Sequence, residues 1–270
     1  MIGLFDSGVG GLTVAAQLRK LSPSADFVYF GDVAHAPYGS KPSEELFFLT
    51  LAMMRFLRGV GATEFVSACN SVSVSVIQPM IEVFGVPSAR VIEMVEPAAV
   101  ACEAYRGKNI LVVATEATVR SKLYEDVFLR HGIPVHMFAN KDLAFAIEEG
   151  RDAESIRQII QPIMNETERV HADVLVFGCT HYPFVKSMFE AELLRRGLSV
   201  EIFDPSLAVA TESVKQFNTN GTGRQIFFLS KESKVFRDRV LELFGTDSEI
   251  HVVDEHAMFA MRPVDNTLLD

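Results

Sequence analysis

Two of the three cysteines lie in matching sequence contexts that suit a reactive thiol. Cys69 and Cys179 each follow a short apolar run and precede small polar residues. This pattern predicts a strand that ends and leads into a helix, where backbone N–H groups and the helix dipole lower the pKa of a thiol. Cys102 lies among alanines in a helical pattern and is expected to pack in a core. The sequence therefore predicts one pair of reactive thiols.

A weak internal repeat surrounds this pair of cysteines. Residues 62–70 align without gaps with residues 172–180, and the apolar run at residues 2–7 resembles that at residues 110–115. Because ligands of parallel α/β sheets bind beyond the carboxyl ends of the strands, two facing halves would bring both cysteines to one cleft. Chance similarity between strand sequences is the alternative.

The glycine-rich loop at residues 6–11 lies between a predicted strand and a predicted helix. Backbone N–H groups of such a loop bind phosphate or carboxylate. The dinucleotide fingerprint requires a third glycine where the chain has Thr13, and no G-x-x-x-x-G-K-[ST] motif is present. We therefore predict a carboxylate site at this loop, with a tight turn of no binding function as the alternative.

Composition and charge exclude several classes of protein. The 270 residues carry a formal charge of −10, which leaves no basic field for nucleic acid, and 49% are hydrophobic, enough for a core. The cysteine spacing does not suit a disulfide framework or a zinc ribbon. Neither a signal peptide nor a membrane span is predicted. We expect a cytoplasmic protein that binds a small molecule, without a metal, nucleic acid or membrane partner.

Short apolar runs alternate with longer amphipathic stretches, which is typical of an α/β fold with parallel sheets. The predicted strands are residues 2–5, 27–30, 64–68, 90–94, 110–114, 135–138, 174–177, 200–203 and 225–229. The predicted helices are residues 12–21, 44–59, 97–105, 119–131, 153–170 and 185–197. From residue 249 onward the sequence shows no recognisable pattern.

Four motifs together resemble the cofactor-independent glutamate racemases and occur in that family's order and spacing. They are DSGVGGL at residues 6–12, PYG at 37–39, ACN at 68–70 and GCTHYP at 178–183. The resemblance extends from residue 2 to about residue 210. It implies two similar three-layer α/β lobes with mostly parallel sheets and an active site in the cleft between them. The implied lobes are residues 1–96 with 206–270, and residues 97–205.

The resemblance also implies conversion of L-glutamate to D-glutamate by two bases, without a cofactor, for peptidoglycan synthesis. Cys69 and Cys179 would exchange protons with opposite faces of the α-carbon, as inversion requires. The implied assisting residues are Asp6, His181 and Glu148, although a solvated helix-end glutamate is the alternative for the last. The implied substrate-binding residues are Ser7, Pro37, Tyr38, Gly39, Asn70, Ser71, Thr118 and Thr180.

Several positions depart from the family pattern and keep other functions open. Ser71 replaces a threonine, Ala114 a glycine, and Asn-Lys at residues 140–141 a Cys-Pro pair, while His35 is also unusual. The alternatives are a racemase for aspartate or another amino acid, and a decarboxylase-like or non-catalytic relative. Such relatives typically keep one cysteine, so the presence of both favours a racemase. A homodimer is expected by analogy with the family.

Overall fold

The computed structural model of the protein describes residues 1–246 and 248–254. Within those ranges the chain forms ten strands and twelve α-helices. The strands are β1 (Ile2–Asp6), β2 (Phe27–Gly31), β3 (Glu64–Ser67), β4 (Val91–Ile92), β5 (Ile110–Ala114), β6 (Val135–Ala139), β7 (Val174–Gly178), β8 (Glu201–Phe203), β9 (Gln225–Leu229) and β10 (Glu249–Val252). The helices are α1 (Leu12–Leu21), α2 (Ser43–Gly59), α3 (Asn70–Ser75), α4 (Ile77–Phe84), α5 (Val95–Cys102), α6 (Glu116–Ser121), α7 (Leu123–Arg130), α8 (Leu143–Glu148), α9 (Ala153–Arg169), α10 (Lys186–Arg196), α11 (Ser206–Gln216) and α12 (Lys234–Phe244).

The strands form two separate parallel sheets. The larger has the order β10-β9-β2-β1-β3-β4 and the smaller the order β6-β5-β7-β8. Every residue of the central strands β1 and β5 is buried. Continuous apolar runs are what strands covered by helices on both faces require, because neither face meets water. The predicted α/β fold with two mostly parallel-sheet lobes is confirmed.

The two sheets repeat one arrangement in the same chain order. β1 pairs with β2 on one side and with β3 on the other, and β3 pairs with β4. In the smaller sheet β5 pairs with β6 and β7, and β7 pairs with β8. Cys69 follows β3 and Cys179 follows β7, so the two cysteines occupy equivalent positions. The weak sequence repeat therefore corresponds to a duplicated topology and is not chance.

Helices cover both faces of each sheet and bury its core. In the larger sheet, α2 and α3 cover one face, and α1, α11 and α12 cover the other. In the smaller sheet, α8, α9 and α10 cover one face, and α5 and α7 the other. Cys102, the last residue of α5, has its side chain buried in the core between that helix and the smaller sheet, as predicted. No helix within the described residues has the length and apolar character needed to cross a membrane.

The chain passes between the lobes twice. Strands of the larger sheet come from residues 2–92 and 225–252, and those of the smaller sheet from residues 110–203. The lobe boundaries at residues 96–97 and 205–206 stay a prediction. Of the predicted first lobe, residues 247 and 255–270 lie outside the described residues.

The structure differs from the predicted elements in two respects. The helix predicted over residues 119–131 is broken at Lys122, whose φ of 59° is left-handed, so that α6 and α7 are separate helices. Helices α4, α11 and α12 and strand β10 were not predicted, and the helices expected after Cys69 (α3) and around Glu148 (α8) were predicted without bounds. Two of these helices, α3 and α8, have six residues each, too few for helical periodicity to show in sequence.

Candidate active site

The carboxyl ends of β1, β3, β5 and β7 meet at a cavity between the lobes. The volume of this cavity is about 20 Å³. Its lining consists of Ser7, Pro37, Tyr38, Gly39, Cys69, Asn70, Ser71, Thr115, Ala144, Cys179, Thr180 and His181. Both lining cysteines are free thiols. The structure therefore brings the predicted thiol pair to one site, one thiol from each lobe.

Cys179, His181 and Glu148 form a chain of buried side chains. Nδ1 of His181 lies 3.8 Å from Sγ of Cys179, and Nε2 lies 2.7 Å from Oε2 of Glu148. Burial opposes a charge on the imidazole, but the hydrogen bonds to Cys179 and Glu148 outweigh it and raise the pKa of His181 well above its ordinary value. The protonated ring therefore places a cation beside Sγ of Cys179.

Glu148 is positioned by contacts at both ends of α8. Asn140 accepts the N–H groups of Asp142 and Leu143 at 3.1 and 2.9 Å, which secures the start of the helix. At the other end, the N–H of Val9 from the first lobe donates to Oε2 of Glu148 at 3.0 Å. Glu148 is buried, so the alternative of a solvated helix-end glutamate is wrong.

The electrostatic environment of Cys69 differs from that of Cys179. Cys69 precedes α3, as predicted for a thiol at a helix N-terminus. Burial nevertheless raises the pKa of the Cys69 thiol and the charge of Asp6 adds to this effect, while the N–H groups of Val72 and Ser7 oppose it. The expected lowering of this pKa is therefore wrong for the closed cavity, because desolvation exceeds the contribution of the N–H groups.

Asp6 lies at the end of β1, fully buried behind the cavity lining. Its Oδ1 accepts the N–H of Gly8 at 2.8 Å, and its Oδ2 accepts the hydroxyl of Thr180 from the second lobe at 3.1 Å. Burial raises the pKa of Asp6, although the nearby His181 and the Gly8 N–H act to lower it. Asp6 is therefore a stronger proton acceptor than an exposed aspartate, beside a thiol whose pKa is also raised.

The glycine-rich loop binds carboxylates of the protein itself. The N–H groups of Gly8 and Val9 donate to Asp6 and Glu148. A methyl group added at Gly8 would lie 2.2 Å from the carboxylate of Glu148, so this glycine is required for the close approach of the lobes. In this structure these two amides are therefore occupied by the protein's own carboxylates, and the carboxylate site predicted for the loop at residues 6–11 as a whole stays a prediction.

Tyr38 is held at the cavity by a buried carboxylate. Its hydroxyl donates to Oδ2 of Asp32 at 2.5 Å. The hydroxyl of Ser230 donates to Oδ1 at 2.6 Å, and Nδ1 of His35 lies 2.8 Å from the same oxygen. Asp32 was not predicted from the sequence, although it directly follows β2 at the same sheet edge as Asp6. A polar residue directly after a predicted apolar strand could have been identified from the sequence as a candidate site residue.

Hydroxyl groups from both lobes meet on one side of the cavity. Oγ of Ser71 lies 3.0 Å from Oγ1 of Thr115, which lies 3.0 Å from Oγ1 of Thr118. Thr115 lines the cavity, whereas the predicted binding residue Thr118 is fully buried behind it. The internal repeat, which aligns Ser7 with Thr115, could have identified this residue.

Most of the predicted site residues lie at the cavity. The predicted binding residues in its lining are Ser7, Pro37, Tyr38, Gly39, Asn70, Ser71 and Thr180. Of the assisting residues, His181 lines the cavity, and Asp6 and Glu148 contact residues of its lining. Ala144 also lines it, and no motif in the sequence marks that alanine.

The cavity is small, with room for about one water molecule, which needs some 10–15 Å³. Hydrogen bonds from Val9 to Glu148 and from Thr180 to Asp6 join the lobes around it. An organic substrate therefore enters only when the lobes separate. In the described part of the chain, no three or more His, Cys, Asp or Glu side chains are grouped so that they could hold a metal ion.

Fold and site together define a class of protein: two equivalent α/β lobes that each present a thiol to one enclosed site. Solved structures share this fold. A glutamate racemase isoform from Bacillus anthracis matches over 94% of this chain and 97% of its own, with a TM-score of 0.83 and 28% identity. The glutamate racemase from Francisella tularensis, solved in complex with D-glutamate, also matches over 94% of this chain and 97% of its own, with a TM-score of 0.80 and 26% identity.

Sequence comparison then identifies the family. The profile of the Asp/Glu/hydantoin racemase family matches residues 13–212. Glutamate racemase 3 of Caldanaerobacter subterraneus subsp. tengcongensis is 35% identical over 245 residues, which cover 87% of each chain. The chain belongs to the Asp/Glu/hydantoin racemase family, and it is an enzyme of the racemase type.

Proposed function

We propose that the protein is a glutamate racemase that interconverts L- and D-glutamate by proton transfer to and from two thiols. The observation that carries this proposal is that Cys69 and Cys179, at equivalent positions of facing lobes, line one small cavity. Glutamate is favoured as the substrate because the relatives named above are glutamate racemases, and one of them was solved with D-glutamate bound.

In one direction, the thiolate of Cys69 removes the α-proton while the thiol of Cys179 delivers a proton to the opposite face. One C–H bond breaks and another forms, Cys69 becomes a thiol and Cys179 a thiolate, and no oxidation state changes. In the other direction the two cysteines exchange roles. Each thiol therefore needs a neighbour that helps it gain or lose a proton between turnovers.

Those neighbours differ between the two lobes. The protonated ring of His181, supported by Glu148, stabilises the thiolate of Cys179. On the other face, Asp6 is the base whose raised pKa suits it to take the proton from Cys69. One face of the substrate would thus meet Cys179 beside the His181 cation, and the other face would meet Cys69 beside the carboxylate of Asp6.

The α-proton of an amino acid is only weakly acidic, so the site must stabilise the charge that develops on the α-carbon and its carboxylate. Donors fixed in a cavity closed to water do so more effectively than water. Nδ2 of Asn70 is buried and has no hydrogen-bond partner among the described residues, and the hydroxyls of Ser7 and Ser71 also line the cavity. These groups are the proposed donors to the substrate carboxylate.

We further propose that the D-glutamate is used for bacterial peptidoglycan and that the enzyme acts in the cytoplasm. The family resemblance supports the first point. The second is supported by the three free cysteines, which suit a reducing compartment. The homodimer expected by analogy stays a prediction.

Incubation in deuterated water tests the proposal. The purified protein is given L- or D-glutamate, and in parallel L- or D-aspartate, without an added cofactor. We expect deuterium at the α-carbon of the product enantiomer of glutamate, measured by mass spectrometry after chiral separation. Exchange with aspartate and none with glutamate would reject glutamate as the substrate.

Cysteine variants test the two-thiol mechanism. Cys69→Ala and Cys179→Ala should each abolish racemisation, because each removes the proton donor or acceptor on one face. Cys102→Ala is the matched control and should retain activity, since this cysteine lies in the core beneath α5. Near-normal racemisation by either of the first two variants would exclude the mechanism.

A further inference from the structure

Tyr124 links the second lobe to a residue of the cavity in the first. It lies on α7, and its side chain is fully buried. Its hydroxyl donates to Oδ1 of Asn70 at 2.6 Å. Asn70 directly follows Cys69 and lines the cavity, whereas Tyr124 lies outside the lining. The contact therefore acts on the site through Asn70.

This hydrogen bond favours one orientation of the Asn70 amide, because the reversed amide would offer the Tyr124 hydroxyl the donor Nδ2 and take away Oδ1, the acceptor of the hydroxyl proton. The amide carries an acceptor oxygen and a donor nitrogen on its two branches. Because the hydroxyl of Tyr124 donates to Oδ1, Nδ2 is the branch left for the cavity. Nδ2 is buried without a hydrogen-bond partner in the described part of the chain, and such a donor costs free energy until an acceptor arrives. A carboxylate is such an acceptor, whereas an ammonium group is not.

The position of Tyr124 is itself well defined. Its ring packs against Phe128 with 5.5 Å between centroids, inside the core that α5 and α7 form on the smaller sheet. Burial, together with the nearby Glu93, raises the pKa of the Tyr124 hydroxyl well above its ordinary value. The hydroxyl therefore keeps its proton and remains a donor to Asn70 over the whole working range of pH.

We propose that Tyr124 is a positioning residue that turns the Asn70 amide so that Nδ2 donates to a carboxylate of the substrate. The inference rests on the proposed function, which supplies the carboxylate. The reversed amide would present Oδ1, which attracts an ammonium group and repels a carboxylate. Because Tyr124 and Asn70 belong to different lobes, closure of the lobes brings the hydroxyl to the amide and thereby sets its orientation.

Tyr124→Phe removes the hydroxyl and keeps the packing of the ring. We expect KM for D-glutamate, and Kd measured by calorimetry, to rise about tenfold, the equivalent of about 1.4 kcal/mol. The melting temperature without ligand should change by no more than a few degrees. Tyr105→Phe is the matched control in the same lobe, because its hydroxyl bonds to Glu201 away from the cavity, and it should bind D-glutamate like the wild type.

A double-mutant cycle separates positioning from a general structural effect. If Tyr124 acts through Asn70, adding Tyr124→Phe to Asn70→Ala should leave Kd unchanged. Wild-type binding by Tyr124→Phe, or a tenfold effect that persists in the Asn70→Ala background, would overturn the inference.

A second variant keeps the inference testable if Tyr124→Phe does not fold. Asn70→Asp retains the acceptor for Tyr124 but places a carboxylate oxygen where Nδ2 lies, so binding of D-glutamate should be lost. Wild-type affinity in this variant would reject the inference.

A wild-type enzyme that racemises aspartate but not glutamate would reject the proposed substrate alone, and the same cycle would then be measured with D-aspartate. A protein that neither binds nor racemises any amino acid would reject both.

Discussion

Nε2 of His181 lies 2.7 Å from Oε2 of Glu148, and both side chains are buried. Glu148 ends α8 and His181 lies in the turn after β7, so the second lobe supplies both members of the pair. The first lobe contributes the N–H of Val9 to the same carboxylate oxygen. A buried carboxylate offsets the cost of burying a charged ring, which keeps a proton on the imidazole beside Cys179.

Replacement of Glu148 by glutamine should reduce kcat. The Glu148→Gln side chain retains an acceptor for Val9 but loses the charge that supports the proton on His181. We expect kcat to fall about 100-fold, the lower end of the contribution of acid–base groups, with a smaller effect on KM. The alkaline limb of the kcat profile should move to lower pH. A profile that coincides with that of the wild type would contradict this role.

The same variant should alter the pH dependence of stability. A group whose pKa is raised on folding stabilises the protein fully below its unfolded pKa, about 6.5 for histidine, and this contribution is lost as pH rises through the folded value. His181 is such a group. The melting temperature of Glu148→Gln should therefore be furthest below that of the wild type in weakly acidic buffer, with the two converging at alkaline pH. A constant difference would argue against a raised pKa.

Replacement of Asp6 by asparagine should stabilise the protein and impair catalysis. Burial raises the pKa of Asp6, so ionisation of this carboxyl opposes folding. The loss of stability develops as pH rises from the pKa of Asp6 in the unfolded protein through its higher pKa in the folded protein. Asp6→Asn should therefore melt above the wild type near neutral pH, by a margin that shrinks towards about pH 4, while kcat falls because the acceptor beside Cys69 is lost. Thermal scans between pH 4 and 8 measure the margin. Lower stability than the wild type at pH 8 would contradict the assignment.

Alanine at position 8 should separate the loop from Glu148. The added methyl group would lie 2.2 Å from the carboxylate, so that the His181 contact is disturbed as well. We expect a loss of stability of about 1–3 kcal/mol and a loss of racemase activity. Gly221→Ala is the control, since its methyl group would lie 2.4 Å from the carboxylate of Asp26, outside the site, and should cost stability alone. Equal activities of the two variants would contradict the prediction.

Valine substitutions should distinguish Thr115 from Thr118. Thr115→Val removes the hydroxyl that contacts Ser71 at the cavity, so KM for glutamate should rise about tenfold if that hydroxyl is worth about 1.4 kcal/mol to substrate binding. The substitution also removes the side-chain cap of α6, which typically costs about 1 kcal/mol of stability. Thr118→Val leaves the contact of Thr115 with Ser71 in place and should change KM by less than threefold. A larger effect of Thr118→Val on KM would support the prediction from sequence that Thr118 binds the substrate.

Much of the site could be predicted from sequence because its residues directly follow apolar strands. Cys69 and Cys179 were recognisable in this way, and the carboxyl ends of parallel strands necessarily share one edge of a sheet. Tyr124 could not be predicted, since it lies in the first turn of α7, outside any motif, and acts across the lobes. The same holds for Ala144, an ordinary residue of a six-residue helix.

By itself, the sequence determined the alternation of strands and helices, the duplication and the pair of cysteines, because these depend on local periodicity and spacing. Only the tertiary structure decided what each group contacts. The amides of Gly8 and Val9 bind Asp6 and Glu148 instead of a ligand. The pKa of Cys69 is raised although the thiol precedes a helix, because burial and a neighbouring charge depend on residues distant in the chain.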